Sequence, residues 1–297
     1  MLPWFRQLFT HDLSLDMGGS TTFVYNPNQG LIFHQPTPIT QRHGYNSPIQ
    51  AGKLVDLPLF QKRLQQVFQQ IPFNAFLKRR PRVLVNVPLG FTLSDQKAIQ
   101  KAVITLGARV CHIMPSILSA ALGAELPIHT PTGALILDVG AGMSEIAHLA
   151  HNRILSARTL PVGGNAFTEA IQRYVRRTYS TILPFSVAEQ LKQEMAPETA
   201  VQGRQAEEGG QVQAITLSHH ELSETFEEPL YALSQALTTF THVSSECVLT
   251  GGGALLQNLP KILTEKTGRL VRLASDPQTC VVRGGAKVLD RVETYLV

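Results

Sequence analysis

Two hydrophobic periods alternate along the chain and predict both strands and helices. Residues 81–90 form a continuous apolar run that ends in proline and glycine, which is typical of a strand buried on both faces. Residues 54–76 carry apolar side chains at helical spacing, and a second helix is predicted over residues 94–107 with Ser94 as its N-cap. A further strand follows at residues 110–114. This alternation favours an α/β fold with a largely parallel sheet.

The beginning of the chain recurs in form near its middle. Residues 13–25 predict a β-hairpin around a Gly-Gly-Ser turn, and residues 133–150 again contain a strand, an acidic residue, a glycine turn and a strand. Aligning the two segments pairs Asp16 with Asp138, Gly18 with Gly140 and Ser20 with Gly142. We therefore expect two related domains that face each other across a cleft.

Three less regular segments complete the predicted element order. Residues 26–52 are polar, rich in proline and glutamine, and without a hydrophobic period, so we expect a loop and an edge strand there. Residues 197–213 are acidic, glycine-rich and poor in apolar side chains, which predicts a mobile surface excursion. Residues 280–296 have the pattern of a closing helix.

Composition and charge exclude several classes of protein. With 43% hydrophobic and 16% charged residues among 297, the chain is predicted to be globular rather than disordered or coiled-coil. Lys and Arg (26) exceed Asp and Glu (22) only slightly and without clustering, so we expect no nucleic-acid partner. Cys111, Cys247 and Cys280 lie far apart without metal-ligand spacing. This argues against a disulfide framework or a zinc site and favours a cytoplasmic location.

The first ten residues are a candidate membrane anchor. Five large apolar side chains lie at helical spacing there: Leu2, Trp4, Phe5, Leu8 and Phe9. The segment lacks the apolar core and the cleavage site of a signal peptide, and no stretch of the chain has the length of apolar sequence that a membrane-spanning helix needs. The pattern alone leaves two interpretations equally open: an interfacial amphipathic helix, or a short helix packed on its own domain.

Three glycine-bearing turns carry the candidate chemistry. They lie at residues 16–21, 138–143 and 250–255, each directly after an apolar strand, and two of them begin with an aspartate. Glycine lets backbone N–H groups approach an anion without obstruction by a Cβ atom, and a carboxylate at a strand end can hold Mg²⁺ through water. The three turns together predict a nucleotide site, although none matches a P-loop or opens a Rossmann GxGxxG unit.

Longer motifs resemble the actin, Hsp70 and sugar-kinase superfamily, and within it the MreB family of bacterial actins. DLSLDMGGSTTFVY and LILDVGAGMSEIAHL resemble its two phosphate loops, and PRVLVNVPLG resembles the core strand after the first. GGNAFTEAIQRYVRRTYSTILPFSVAEQLKQEM resembles the helices that cradle the nucleoside. CVLTGGGALLQNLPKILTEKTG and DPQTCVVRGGAKVLD resemble the adenosine loop and the terminal segment. The match covers most of the chain, and YVRRTY and the last two motifs are specific to MreB.

The resemblance implies an actin-like, ribonuclease H-like fold of two domains, with ATP and Mg²⁺ in the cleft between them. It implies a membrane anchor at residues 1–10, a first domain over 11–132, a second over 133–275, and a C-terminal helix over 276–297 that returns to the first domain. It also implies filaments, of this protein alone or with a full-length MreB, that direct cell shape and wall synthesis. Such filaments lie at the inner face of the membrane, bound to lipid through the N-terminus and to shape-determining membrane proteins.

Carrying the family motifs over by position implies a role for each site residue. Asp16 and Asp138 would hold the water shell of the metal. The remaining nucleotide contacts would come from Gly18, Gly19, Ser20, Thr21, Gly140 and Gly142 for the phosphates, Gly163 and Gly164 at the head of the following helix, Glu189 and Lys192 for the ribose, and Gly251, Gly252 and Gly253 for the adenosine.

Departures from the family pattern concern hydrolysis and length. Ser116 stands where the family has the glutamate that positions the attacking water, and Met143 stands where it has a threonine. Losing both groups predicts slow hydrolysis, because phosphoryl transfer depends on orienting water and stabilising charge. Asn165 replaces an aspartate. Between Pro36 and Pro48 the chain is much shorter than the family, so most of the small subdomain of the first domain is expected to be missing.

Several functions therefore stay open from the sequence. The leading one is an MreB-like protein that binds ATP, hydrolyses it weakly and takes part in filaments. A regulatory or capping partner of a full-length MreB is the alternative. A fully active ATPase would need another carboxylate near the water, for which Glu145 is the acidic residue nearest in sequence. A small-molecule kinase of the superfamily and a binding protein with a degenerate cleft are further alternatives.

Overall fold

Two five-stranded sheets form the core of the molecule, and we call them and their helices the first and second lobes. The computed structural model describes residues 12–40, 44–71, 80–195, 198–206, 210–240, 243 and 246–291. The five apolar side chains of the predicted anchor, Leu2, Trp4, Phe5, Leu8 and Phe9, lie outside these residues.

The first sheet has the strand order β3-β2-β1-β8-β9. Its strands are β1 (Leu13–Met17), β2 (Thr21–Asn26), β3 (Gly30–Pro36), β8 (Arg82–Val87) and β9 (Val110–Pro115). β1 pairs antiparallel with β2 and parallel with β8, so the first phosphate-like turn lies at the carboxyl end of the central strand. The apolar residues of β8 are buried, as its continuous hydrophobic run predicts.

The second sheet repeats this topology in the order β12-β11-β10-β16-β17. Its strands are β10 (Ala134–Val139), β11 (Ser144–Ala150), β12 (Arg153–Leu160), β16 (Glu246–Thr250) and β17 (Leu270–Leu273). β10 pairs antiparallel with β11 and parallel with β16. The predicted α/β fold and its internal repeat are confirmed. The prediction of a largely parallel sheet is wrong, because each sheet joins an antiparallel hairpin meander to parallel strands.

Two helices cover the outer face of the first sheet. α1 (Leu57–Gln70) begins at Asp56, whose carboxylate accepts from the N–H of Leu59 at 2.8 Å, and buries Phe60 and Leu64 in the core. α2 (Leu93–Thr105) begins at Thr92, not at the predicted Ser94. The reason is a capping box, in which Thr92 and Asp95 bond each other's backbone N–H groups.

A tight pair of helices lies between the two sheets. α3 (Ser116–Gly123) and α9 (Cys280–Asp290) cross so closely that a methyl group on Gly123 would overlap the carbonyl of Cys280. A methyl group on Gly284 would likewise overlap the carbonyl of Ser119. Glycines at the crossing therefore allow the backbones to touch. The predicted closing helix is described as far as Asp290.

Five α-helices lie in the described part of the second lobe, whose core is apolar. They are α4 (Gly164–Tyr179), α5 (Phe185–Glu194), α6 (His219–Thr225), α7 (Glu227–Thr238) and α8 (Leu259–Thr267). A separate sheet joins β13 (Thr181–Ile182), β14 (Glu198–Gln205) and β15 (Val212–Ser218). The predicted mobile excursion at residues 197–213 is wrong over its described part. Its polar composition reflects a hairpin with one solvated face rather than lack of structure.

The segment between β3 and α1 forms two short hairpins. They pair β4 (Ile39–Thr40) with β5 (Gly44–Tyr45), and β6 (Ile49–Gln50) with β7 (Lys53–Leu54). The predicted edge strand is β3, but these hairpins stand where only a loop was expected. Among the described residues, no helix is long and apolar enough to cross a membrane. The three cysteines are buried and free.

Candidate functional site

A cavity of about 390 Å³ opens between the lobes where the glycine turns converge. It is lined by Ser20, Thr21, Gly140, Ala141, Gly164, Asn165, Phe167, Glu189, Lys192, Gln193, Gly252, Gly253, Leu255, Leu256 and Gln278. The structure thus brings together eight predicted residues: Ser20, Thr21, Gly140, Gly164, Glu189, Lys192, Gly252 and Gly253. The turns of the two lobes approach closely, since a Cβ on Gly19 would lie 3.6 Å from the Cβ of Ala141.

Backbone hydrogen bonds hold the N-terminus of α4 against the second glycine turn. The N–H of Gly164 donates to the carbonyl of Gly140 at 2.9 Å, and the N–H of Asn165 donates to the carbonyl of Ala141 at 2.7 Å. A Cβ on Gly163 would lie 2.6 Å from both the carbonyl oxygen of Ala141 and the nitrogen of Met143. Only glycine therefore allows the helix to pack directly on the turn. Gly142, in contrast, has no neighbour within 4 Å of such a Cβ.

Two aspartates stand at equivalent strand ends beneath the turns. Asp16 lies on β1, and Asp138 on β10 accepts from the Thr250 hydroxyl at 2.8 Å. Burial, and then the charge of Asp138, raise the pKa of Asp16 to about 7. Burial also raises the pKa of Asp138. Two carboxylates that repel each other in a partly desolvated cleft are disposed to bind a cation.

A third carboxylate, Glu145, joins this cluster from β11. It is 2% exposed, and its Oε1 accepts from the backbone N–H of Leu89 in the first lobe at 2.8 Å. Burial is the main cause that raises the pKa of Glu145 to about 7, and the charges of Asp138 and Asp16 add to it. The hydrogen bond to Leu89 links the lobes directly behind the aspartates. Alternation along the strand predicts that Glu145 lies on the same face as Met143. It does not predict that Glu145 accepts a hydrogen bond from Leu89.

These carboxylates fit Mg²⁺ held through water better than a metal bound directly by the protein. Within the described part of the chain, no group of three or more His, Cys, Asp or Glu side chains is arranged to hold a metal ion. Mg²⁺ characteristically keeps several waters and takes one or two protein carboxylates together with substrate phosphates. Asp16 and Asp138 below the glycine turns supply that number of ligands.

A buried ion pair also lines this cavity. Lys192 Nζ is 2.7 Å from Glu189 Oε2, and their side chains are only 11% and 12% exposed. Thr168 also donates to Glu189, and Lys192 also donates to the carbonyl of Gly164 at 3.1 Å. Although burial opposes ionisation, Lys192 holds the pKa of Glu189 below its usual value. The pair places a fixed carboxylate and a fixed ammonium beside the glycine-lined wall.

The family resemblance predicts that Met143 and Ser116 stand in place of its hydrolytic groups. Met143 is half-buried, and a Cβ on Gly52 would lie 2.8 Å from its sulfur and 3.6 Å from Thr159 Cγ2. The Met143 thioether therefore packs on the turn between β6 and β7 of the first lobe. Ser116 is the first residue of α3 and is 8% exposed.

Several residues that line the cavity are not predicted from the sequence. Leu255 and Leu256 give one wall an apolar surface, while Gln193 and Gln278 add amides. Gln193 lies one helical turn after Glu189 on α5 and donates to its Oε1 at 3.0 Å, so helix position was a usable signal for it. Gln278 lies before α9 in a segment without a glycine turn, and only the fold brings it to the cleft.

Comparison with known proteins agrees with this architecture. The family profile described as MreB/Mbl protein matches residues 44–296. The cell shape-determining protein MreB of Escherichia coli strain K12 is 34% identical over 340 residues, which cover 99% of this chain and 98% of that protein. Because 340 matched positions exceed the 297 residues here, parts of that relative have no counterpart in this chain.

Solved structures share the fold at lower identity. MreB 5 of Spiroplasma citri bound to AMPPNP superposes with a TM-score of 0.84 at 21% identity, covering 95% of this chain and 96% of that one. A MamK double helical filament has a TM-score of 0.73 at 16% identity, and the match covers 94% of this chain and 99% of that one. The fold is therefore actin-like. Because the family profile matches most of this chain, the chain belongs to the MreB/Mbl family.

Proposed function

We propose that this protein binds ATP with Mg²⁺ between its lobes and takes part in membrane-associated filaments that direct cell shape and wall synthesis. The observation that carries the nucleotide part is the convergence of glycine turns and a buried ion pair on one cavity of about 390 Å³. Family membership and the cell-shape role named for the E. coli relative support the cellular part. The AMPPNP bound to MreB 5 supports the choice of nucleotide.

The phosphates belong beside the first and second glycine turns. Ser20, Thr21 and Gly140 line the cavity, where backbone N–H groups of the glycine turns can approach an anion. The Gly140 N–H is not one of these donors, because it donates to the carbonyl of Met143 at 2.9 Å. Asp16 and Asp138 would hold hydrated Mg²⁺ next to those phosphates, and the metal would neutralise part of their charge. Burial and then the charge of Asp138 raise the pKa of Asp16, and a bound cation would relieve the second of these causes.

The nucleoside belongs at the opposite end of the cavity. Glu189 is an ionised carboxylate within reach of the cavity and can accept from ribose hydroxyls, while Lys192 can donate to them. Leu255 and Leu256 provide apolar surface for a flat base, and the bare backbone at Gly252 and Gly253 allows close approach.

Hydrolysis should be slow in this cleft. Neither Ser116 nor Met143 can remove a proton from water or orient it as a carboxylate and a hydroxyl would. Glu145 is the candidate replacement that a fully active ATPase would need. Its Oε1 is already occupied by the Leu89 N–H, and the side chain is 2% exposed. We therefore favour an ATP-binding protein with weak turnover over a fully active one.

A second candidate function is a regulatory or capping partner of a full-length MreB. Head-to-tail assembly needs two different complementary surfaces on each protomer. The 340 positions matched in the E. coli relative exceed the length of this chain, and we place the missing part between Pro36 and Pro48, where only short hairpins are found. A protomer with one altered surface would join a filament end and present no ordinary site to the next subunit. The small-molecule kinase gains no support from the relatives.

Electron microscopy on a lipid monolayer tests the proposal. The pure protein with ATP and Mg²⁺ should form weak or no filaments, and should enter or shorten filaments of a full-length MreB. A matched sample without nucleotide is the control. Long filaments of the pure protein would favour the ordinary filament-forming role over the capping role. No filaments of the pure protein together with no effect on MreB filaments, in any nucleotide state, would refute both roles.

A further inference from the structure

A second polar cavity lies in the first lobe, on the side of α1 that faces β2 and β3. Its volume is about 250 Å³, and it includes Thr22, Gln35, Lys62, Arg63 and Gln66. We call it the Arg63 groove. None of its lining residues lines the cavity between the lobes. The groove is therefore separate from the candidate nucleotide site.

Arg63 is a half-buried cation whose described partners are neutral. Its Nη1 donates to the Thr37 hydroxyl at 3.3 Å, and its Nη2 donates to the backbone carbonyl of Asn46. Among the residues that the structure describes, no carboxylate forms an ion pair with Arg63, and burial lowers the pKa of its guanidinium. Removing a charge from water without supplying a counter-charge is unfavourable, so this position favours an added anion.

The other polar groups of the groove match an oxyanion with more than one negative charge. Lys62 contributes a second cation directly beside Arg63 in sequence, and the amides of Gln35 and Gln66 are available as donors. None of the described residues that line the groove is acidic. A phosphate group carries about 1.5 to 2 negative charges near pH 7. It therefore balances the charge of two cations better than a single carboxylate does. Guanidinium geometry also suits phosphate oxygens.

We propose that the Arg63 groove binds a phosphate group of a small molecule. Arg63 is held in place by Thr37 and Asn46 and contacts the anion with the remainder of its guanidinium, while Lys62 and the two glutamines complete the donor set. The backbone N–H of Thr37 also donates to the carbonyl of Ser20 at 2.8 Å, so the groove is joined to the first glycine turn by one hydrogen bond.

Isothermal titration of the full chain with inorganic phosphate at constant ionic strength tests this site. We expect wild-type protein to bind phosphate, and Arg63→Gln to weaken binding at least about tenfold, because it removes a charge-assisted contact. Arg109→Gln changes an exposed arginine of the same lobe outside the groove and should leave binding unchanged. Equal binding by Arg63→Gln, or no binding by the wild type, would overturn the proposal.

Two further arms keep the result interpretable. Lys62 is exposed and makes no described ion pair, so Lys62→Gln tests the groove even if Arg63→Gln destabilises the fold. We expect it to weaken phosphate binding about threefold or more. ADP at one equivalent per chain, enough to fill the cleft but too little to compete with excess phosphate in the groove, should leave the phosphate isotherm unchanged. If one equivalent of ADP abolishes phosphate binding, the anion lies in the cleft and the groove assignment is wrong.

Discussion

Replacing Glu145 by glutamine should stabilise the nucleotide-free protein above neutral pH. The carboxylate is 2% exposed, and its pKa is raised from an ordinary value of 4.5 to about 7. Glutamine keeps an oxygen that can accept from the Leu89 N–H and removes the charge that faces Asp16 and Asp138. The hydrogen bond between the lobes is therefore retained while the electrostatic cost is lost.

The size of the effect follows from the pKa shift. A raised pKa in the folded state means that the folded protein holds the proton more tightly than the unfolded chain. The contribution of Glu145 to stability is therefore fully present below pH 4.5 and is lost as pH rises toward about 7. At about 1.4 kcal/mol per pKa unit, the whole loss is about 3 kcal/mol. We expect the free energy of unfolding of Glu145→Gln to exceed that of the wild type by up to about this amount at pH 8. The two free energies should be equal near pH 4.5.

Urea unfolding followed by circular dichroism from pH 4.5 to pH 8 measures this difference. Asp16 titrates in an overlapping range, so the difference between the two proteins, rather than the slope of either, reports Glu145 together with its coupling to the aspartates. Glu169→Gln is the matched control, because Glu169 is exposed on α4. Parallel pH profiles for wild type and Glu145→Gln, or a less stable variant at pH 8, would refute this description of a strained carboxylate.

Three further predictions concern the turns, the replaced hydrolytic groups and the N-terminus. Gly163→Ala should weaken ATP binding about tenfold or more in a fluorescence titration, because its Cβ would lie 2.6 Å from backbone atoms of Ala141 and Met143 and displace the turn; unchanged affinity would contradict the packing. Ser116→Glu combined with Met143→Thr should raise the ATP hydrolysis rate measured by phosphate release; an unchanged rate would show that other groups limit turnover. Deleting residues 1–10, or changing Trp4 and Phe5 to Glu, should abolish co-sedimentation with anionic liposomes, since burying the five apolar side chains at about 25 cal/mol per Å² is the expected source of binding. Undiminished co-sedimentation would reject the anchor.

Local chemistry made much of the fold predictable. The turn after β1 and the turn after β10 could be found because glycine and aspartate follow apolar strands at the same offset. The cap of α2 was misplaced by two residues, since Thr92 and Ser94 are both good N-caps and only the reciprocal contact with Asp95 distinguishes them. The hairpin of β14 and β15 was missed because its strands are polar on the exposed face and carry little hydrophobic signal.

Contacts across the cleft could not be predicted from sequence. Glu145 meets the Leu89 N–H, and Met143 packs against Gly52, only because the two lobes come together at this angle. Pattern and spacing describe a single element and its neighbours in the chain, whereas these pairs join distant segments. The same holds for the Arg63 groove, in which Thr37, Asn46 and Arg63 meet through the hairpins between β3 and α1.

Measuring ATP binding and ATP turnover on one preparation of the wild-type protein tests most directly whether the cleft holds Mg²⁺-ATP while hydrolysing it slowly. We expect saturable, Mg²⁺-dependent ATP binding that Asp138→Ala abolishes. Turnover should be about 100-fold or more below that of a full-length MreB measured in parallel, as expected when a water-positioning group is missing. Absence of ATP binding would contradict the nucleotide site. Turnover equal to that of the full-length MreB, and lost in Asp138→Ala, would contradict the slow-hydrolysis part.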